Sequence, residues 1–405
     1  MESLGERLLR SRLERLRHGQ LTVVHGDSTR HYGRPDDRCP FRATLQVRDP
    51  RFFAEAAFGG SVGAGESFMA GDWAADDLTA TMRILLANRD VLDGLDSGGL
   101  TRLSELARRG LHATARNTRA GSRRNIAAHY DLGNDFFERL LDPSMMYSCA
   151  FYASPGVSLE AAQVAKLDRV CRKLDLRPSD HLLEIGTGWG GLALHAARHF
   201  GCRVTTTTIS GEQHALARQR IEAAGLADRV TLLLDDYRDL SGKFDKLVSI
   251  EMIEAVGHQY FDAFFSQCGR LLVPGGTMLL QGITIDDGQY KSARDSVDFI
   301  KRHIFPGCCI PSMAALTMSA TRAAPLRVID LEDIGPHYAT TLAAWRANLH
   351  AHADELRGRG YGDVLQRMFE FYLCYCEAGF AERALGNVQM LLQETSRPAV
   401  LPPRV

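Results

Sequence analysis

The pattern Glu184-Ile-Gly186-Thr-Gly188-Trp-Gly190-Gly191 places an acid directly ahead of a run of glycines. Glycines 186, 188 and 191 fit G-x-G-x-x-G, in which missing side chains let the backbone approach a nucleotide-like ligand closely. Taken alone, this pattern suggests a dinucleotide. A nicotinamide site also wants an acid about 20 residues further on, at the end of the second strand, for the ribose. That place is filled by Thr205-Thr-Thr-Thr208-Ile-Ser210. Acids stand elsewhere, at Glu184 and at Asp235-Asp236-Tyr237. An acid before the turn and another after the third strand suit S-adenosylmethionine (SAM), which carries an amino group, a ribose and an exocyclic adenine amine. NAD and a purely structural tight turn remain the alternatives. Trp189 is expected to pack against the turn.

Alternating strands and helices are needed to position these residues. A helix over about 159–174 precedes a buried strand, His181–Ile185. A helix over Leu192–Phe200 follows the glycines, and Arg203–Thr208 reads as a strand rich in β-branched threonine. Helix Glu212–Ala224, strands Val230–Leu234 and Phe244–Ile250, helix His258–Leu272 and strand Thr277–Thr284 continue the series. The fold class is therefore α/β: a Rossmann-like sheet of parallel strands with helices on both faces. Ligands in such sheets bind beyond the carboxyl ends of the strands.

Three regions differ in character. Residues 1–95 form a small N-terminal α+β domain with strand-like runs Leu21–Val24 and Ala43–Val47. Glycines 59, 60, 63 and 65 read there as turns, and Leu78–Leu95 reads as a helix. Residues 96–124 read as a linker, within which residues 102–124 carry seven Arg (102, 108, 109, 116, 119, 123, 124) against one acid, Glu105. Residues 125–405 form the nucleotide-binding domain.

Composition excludes other classes. The 405 residues carry a net charge of −1, so no global case for nucleic-acid binding exists. Nine cysteines without a C-x-x-C pair predict neither a disulfide framework nor zinc. No stretch of about 18 uninterrupted apolar residues predicts a membrane span, and the charged N-terminus lacks a secretory apolar core. The expected setting is cytoplasmic. The segregated +6 of residues 102–124 is expected to contact an anionic membrane surface peripherally.

Several long motifs resemble the cyclopropane-fatty-acyl-phospholipid synthase family of SAM-dependent methyltransferases. They are Ala127-Ala-His129-Tyr-Asp131-Leu-Gly133-Asn-Asp135-Phe-Phe137, Met146-Tyr147-Ser148-Cys149-Ala-Phe151, Leu183 to Gly191 and Thr208-Ile-Ser210-Gly-Glu-Gln213. Met252-Ile-Glu254-Ala-Val-Gly257, Phe299 to Gly307, Tyr338 to Trp345 and Arg367 to Leu373 extend the match. Gly65-Glu-Ser-Phe-Met-Ala-Gly-Asp-Trp73 is similar to the family's amino-terminal domain, so the likeness runs from about residue 20 to 394.

The resemblance implies attack of a lipid double bond on the SAM methyl, then loss of a proton from the carbocation to give a cyclopropane. It places SAM against Tyr147, Ser148, Glu184, Gly186, Gly188, Gly190, Thr208, Ser210, Gln213, Asp236 and Tyr237. It places a bicarbonate, the implied proton acceptor, against Cys149, Glu254, the backbone at Ile283, and Tyr338, and Cys376 matches a family cysteine near the site. The implied partner is an unsaturated phospholipid, and a homodimer is compatible with it.

A carbocation must be kept from water, and Tyr147, Phe151, Tyr152, Phe299, Tyr338 and Tyr372 are candidates for an aromatic lining. One departure stands out. Where cyclopropane-forming members carry His, two residues before Ile283, this chain has Gln281. Gln offers a donor and an acceptor but carries no proton near neutral pH. A methylene- or methyl-branched product is therefore the alternative to cyclopropane. A methyltransferase for a soluble small molecule and a lipid-binding protein without activity are further alternatives.

Overall fold

The computed structural model describes residues 3–89 and 132–396. The Arg-rich segment 96–124, together with His129 and Asp131, lies outside them. The chain divides into two compact units: residues 1–115, 295–306 and 342–385 form the first, and residues 116–294, 307–341 and 386–405 the second.

The first unit holds strands β1 (Gly19–His25), β2 (Ser28–Arg34), β3 (Arg42–Val47) and β4 (Trp73–Ala75) in the order β2-β1-β3-β4. β1 alternates buried and half-buried residues, so one face of the sheet is covered. Glycines 59, 60, 63 and 65 do not form the expected turns. They lie in helix Arg51–Ala70, which is interrupted at Gly60 (φ +57°). A Cβ at Gly63 would come within 2.2 Å of the Glu55 carbonyl, and one at Gly65 within 2.3 Å of Phe299. These two glycines serve close packing inside a helix, which periodicity does not distinguish from a loop.

The units also depart from the expected division at 1–95, 96–124 and 125–405. The first unit takes in helix Asp363–Ala381, whose Phe371 ring lies 5.8 Å from Phe68. Ion pairs Arg83–Glu382 (2.6 Å) and Arg346–Glu377 (2.9 Å) also lie within this unit. A linear division misses this because an amphipathic stripe shows that a helix is buried, not which partner buries it.

The second unit contains β5 (His181–Ile185), β6 (Arg203–Thr207), β7 (Val230–Leu233), β8 (Phe244–Ile250), β9 (Leu272–Ile285), β10 (Leu326–Asp333) and β11 (Leu385–Glu394). The sheet order is β10-β11-β9-β8-β5-β6-β7. The pairs β9–β8, β8–β5, β5–β6 and β6–β7 are parallel, as the alternation predicts. β10 and β11 pair antiparallel and make the sheet mixed. The sequence reading places no strand after Thr284, so this edge is new. Two apolar clusters cover the sheet. One centres on Phe264, Phe265 and Leu280, the other on Val170, Leu192 and Leu279. Among the described residues, no helix is long and apolar enough to cross a membrane.

Candidate active site

Parallel pairing brings the carboxyl ends of β5, β6, β7 and β8 to one edge of the sheet, where the connecting loops gather. The loop after β5 runs through Gly186, Gly188 and Gly190 at φ of +104°, +53° and +86°, a region that side chains other than glycine rarely occupy. A Cβ at Gly188 would meet no atom within 4 Å, so this part of the loop faces open space. Gly191 answers a different need. A Cβ there would lie 2.7 Å from Met146 Sδ and from the Ser144 carbonyl, so the 144–146 segment can approach only a glycine. Trp189 is buried as expected, donates to Asn134 Oδ1 (2.7 Å) and packs on Phe137.

Glu184 is buried at the end of β5 and accepts a 2.6 Å bond from Thr206. Burial pushes its carboxyl up to about 8. Beyond β6, Thr208 donates to the Gln213 side-chain oxygen (2.9 Å), and Ser210 caps the following helix at Gln213 N. This leaves the Gln213 amide hydrogens as donors beside the loop, suited to a ribose hydroxyl. After β7, Asp236 is buried and clasped by Arg238 at 2.6 Å. Tyr237 packs edge-on against Phe264.

The Tyr147-Ser148-Cys149 segment enters from Met145, a non-glycine residue at φ +59°. Tyr147 lies against Phe137 at 5.3 Å. Ser148 receives a 2.8 Å bond from Lys166, whose ammonium is wholly buried and held down to about 8 by that burial. Lys166 is a site residue that sequence reasoning missed, since a lone lysine in an amphipathic helix reads as solvent-facing. The Cys149 thiol is fully buried, and burial raises it well above the ordinary thiol value, so it does not offer a thiolate. Its backbone N–H is what reaches into the site.

That N–H leads to Glu251, which the sequence reading also missed. Glu251 follows β8 directly and sits at φ +49°. Its Oε1 accepts bonds from Cys149 N (3.0 Å), Gln281 Nε2 (3.0 Å) and Asn387 Nδ2 (2.6 Å). Its Oε2 accepts from the Tyr338 hydroxyl at 2.6 Å. Gln281 is fully buried on β9, paired in register with Ile250, and accepts in turn from Gln389 (3.0 Å). Glu254 lies one turn further on, 8% exposed, with Oε1 receiving Ile283 N at 2.5 Å. Burial, and then the charge of Glu251, push its carboxyl up to about 8. The structure thus brings Cys149, Glu254, Gln281, Ile283 and Tyr338 into one unit with Glu251 at their hub. Cys376 belongs to the other unit, on helix Asp363–Ala381, as do Phe299 and Tyr372.

The expected bicarbonate does not fit this arrangement. Cys149 N and the Tyr338 hydroxyl are committed to Glu251, and Ile283 N to Glu254. A further anion would meet two carboxyl groups in place of these donors.

A mixed seven-stranded sheet, with its glycine turn after β5 and Thr208, Gln213 and Asp236 around the same loop cluster, defines a Rossmann-like methyltransferase. The family described as mycolic acid cyclopropane synthetase matches residues 117–390. The tuberculostearic acid methyltransferase UfaA1 of Mycobacterium tuberculosis is 37% identical over 404 residues, 98% of this chain and 92% of that protein. The cyclopropane-fatty-acyl-phospholipid synthase of Escherichia coli K12 is 37% identical, covering 86% of this chain and 87% of its own length. The solved structure of the mycolic acid cyclopropane synthase CmaA1 complexed with SAH and CTAB aligns at a TM-score of 0.63 and 32% identity, over 67% of this chain and 98% of that one. The chain belongs to the cyclopropane synthase family and is a SAM-dependent methyltransferase.

Proposed function

We propose that this enzyme transfers the SAM methyl group to the double bond of an unsaturated acyl chain esterified in a phospholipid, giving a cyclopropane. The observation carrying this reading is likeness over 86% of the chain to a cyclopropane-fatty-acyl-phospholipid synthase. SAM supplies an electrophilic methyl on sulfonium sulfur. The chain's own residues bind, align and keep dry. Gly186, Gly188 and Gly190 open the cofactor path, while Ser148, fixed by Lys166, and Gln213 present donors beside it. An alkene is a weak nucleophile, so alignment supplies much of the rate. Phe151 stands 4.5 Å from His337, Tyr152 stacks on the same ring, and the Arg169 guanidinium lies 4.5 Å over the Phe151 ring. Tyr338, whose hydroxyl bonds Glu251, is the aromatic residue at the buried carboxyls that would favour a passing positive charge over water.

A methylene- or methyl-branched product is the second reading. Gln281 stands in the reaction centre, and the relative matched over 98% of the chain is a tuberculostearic acid methyltransferase. In either case the proposed partner is an unsaturated phospholipid at an anionic membrane surface, with the Arg-rich segment 102–124 as the sequence feature that supports the contact. Incubation with SAM and vesicles of dioleoylphosphatidylglycerol and dioleoylphosphatidylethanolamine tests both, with the released fatty acids identified by mass spectrometry. A gain of one CH2 with loss of the double bond supports cyclopropane, and a gain with the alkene retained supports the branch. Methylation of a soluble acceptor with no lipid product overturns the proposal.

A further inference from the structure

We infer that Glu251 occupies the anion position of this active site with the chain's own carboxylate and is the base that takes the proton from the carbocation. The inference rests on the proposed lipid methylation. Its physical basis is the pattern of donors. Cys149 N, Gln281 Nε2, Asn387 Nδ2 and the Tyr338 hydroxyl converge on one carboxyl from four separate segments. Convergence of four donors is the pattern of a built anion site, and here the anion is covalently attached. Three donors hold Oε1, whereas Oε2 has only the Tyr338 bond among those described, so Oε2 keeps a lone pair directed away from its clasp. Glu251 is half-buried, whereas Gln281 on β9 and Asn387 on β11, which donate to it, are fully buried.

Position supports the role. Glu251 leaves β8 beside β5, whose own end carries the cofactor loop, and Met252 comes within 3.6 Å of where a Gly186 Cβ would be. Its φ of +49° costs roughly 1–2 kcal/mol in a residue other than glycine. Backbone strain of this kind persists where surrounding contacts over-determine it. Gln281 fits the same reading. A residue that donates to an attached carboxylate need not carry a charge, whereas one recruiting a diffusible anion gains from it.

The step balances. The π pair of the alkene forms the new C–C bond as the S–CH3 pair returns to sulfur, yielding S-adenosylhomocysteine and a carbocation. Oε2 of Glu251 accepts a proton from the added methyl, and the released C–H pair closes the three-membered ring. Removal from a neighbouring chain carbon gives the alkene instead.

Three measurements test this on the full chain. First, methylation of dioleoylphosphatidylglycerol vesicles is assayed in carbonate-free buffer with and without added bicarbonate. The wild type should run equally fast in both. Second, Glu251→Gln should lose about a hundredfold or more in rate, as expected for loss of a general base, with S-adenosylhomocysteine affinity retained. Glu251→Gly relieves the positive φ and vacates the donors, so bicarbonate should restore its rate at least about tenfold. Third, [13C]bicarbonate resonances should broaden with Glu251→Gly and not with the wild type. Stimulation of the wild type by bicarbonate, broadening by the wild type, or a full rate in Glu251→Gln overturns the inference. A wild type that methylates no unsaturated phospholipid overturns the proposed function instead. The resonance measurement then still decides who holds the anion position.

Discussion

Changing Glu254 to Gln exposes the electrostatic cost of crowding two carboxyls at the end of β8. Burial first, and the charge of Glu251 second, push the Glu254 carboxyl from its ordinary 4.5 up to about 8. The folded value lies above the unfolded one, so the native protein binds the extra proton between these limits. The stability this group contributes is complete below about 4.5 and is lost as pH rises through about 8. At about 1.36 kcal/mol per pH unit, the interval from 4.5 to about 8 sets a ceiling of about 5 kcal/mol. Relaxation of a buried site lowers this, and about 2–4 kcal/mol is expected. Gln keeps an acceptor for Ile283 N and carries no charge at any pH. Near pH 5 the two proteins should unfold at similar temperatures. By pH 9 the variant should be the more stable, by roughly 5–15 °C at about 2–4 °C per kcal/mol. Thermal unfolding followed by circular dichroism between pH 5 and pH 9 measures the gap. A gap independent of pH, or one that widens toward acid, refutes the argument.

Three further outcomes follow from the same geometry. Gly188→Val places a β-branched side chain at φ +53° in the open cofactor path, so S-adenosylhomocysteine binding should disappear in calorimetry while NAD binds neither protein. Lys166→Met keeps the volume and removes the donor that fixes Ser148, so the Kd for S-adenosylhomocysteine should rise about tenfold, equivalent to about 1.4 kcal/mol; an unchanged Kd would assign the amine to packing alone. Changing Arg108, Arg109, Arg123 and Arg124 to Ala should weaken co-sedimentation with phosphatidylglycerol vesicles, by about 1 kcal/mol per residue at low salt. Salt-independent sedimentation, equal in both proteins, would remove the electrostatic basis for that contact.

The central sheet and its cofactor loop were legible because both depend on local pattern. Each of β5 to β8 is a short run of apolar or β-branched residues between helical segments, and its end coincides with the predicted end to within a residue. Helix Arg51–Ala70 and the partner of helix Asp363–Ala381 were not legible, because both are decided by close approach between distant segments. The same division runs through the site. Glu254 is visible as part of a motif, while Glu251, three residues earlier, reads as an ordinary acid at a strand end. What identifies Glu251 is convergence from Cys149, Gln281, Tyr338 and Asn387, which lie up to 136 residues away in sequence. Yet one trace of it was present in the chain. Gln281 stands where a histidine would help hold a diffusible anion, and β8 pairs in register with β9 so that Ile250 faces Gln281. The next residue along is therefore beside it. A charge-bearing partner missing on one strand, with an extra carboxylate at the end of its neighbour, is the pair expected when an anion site has taken its anion into the chain.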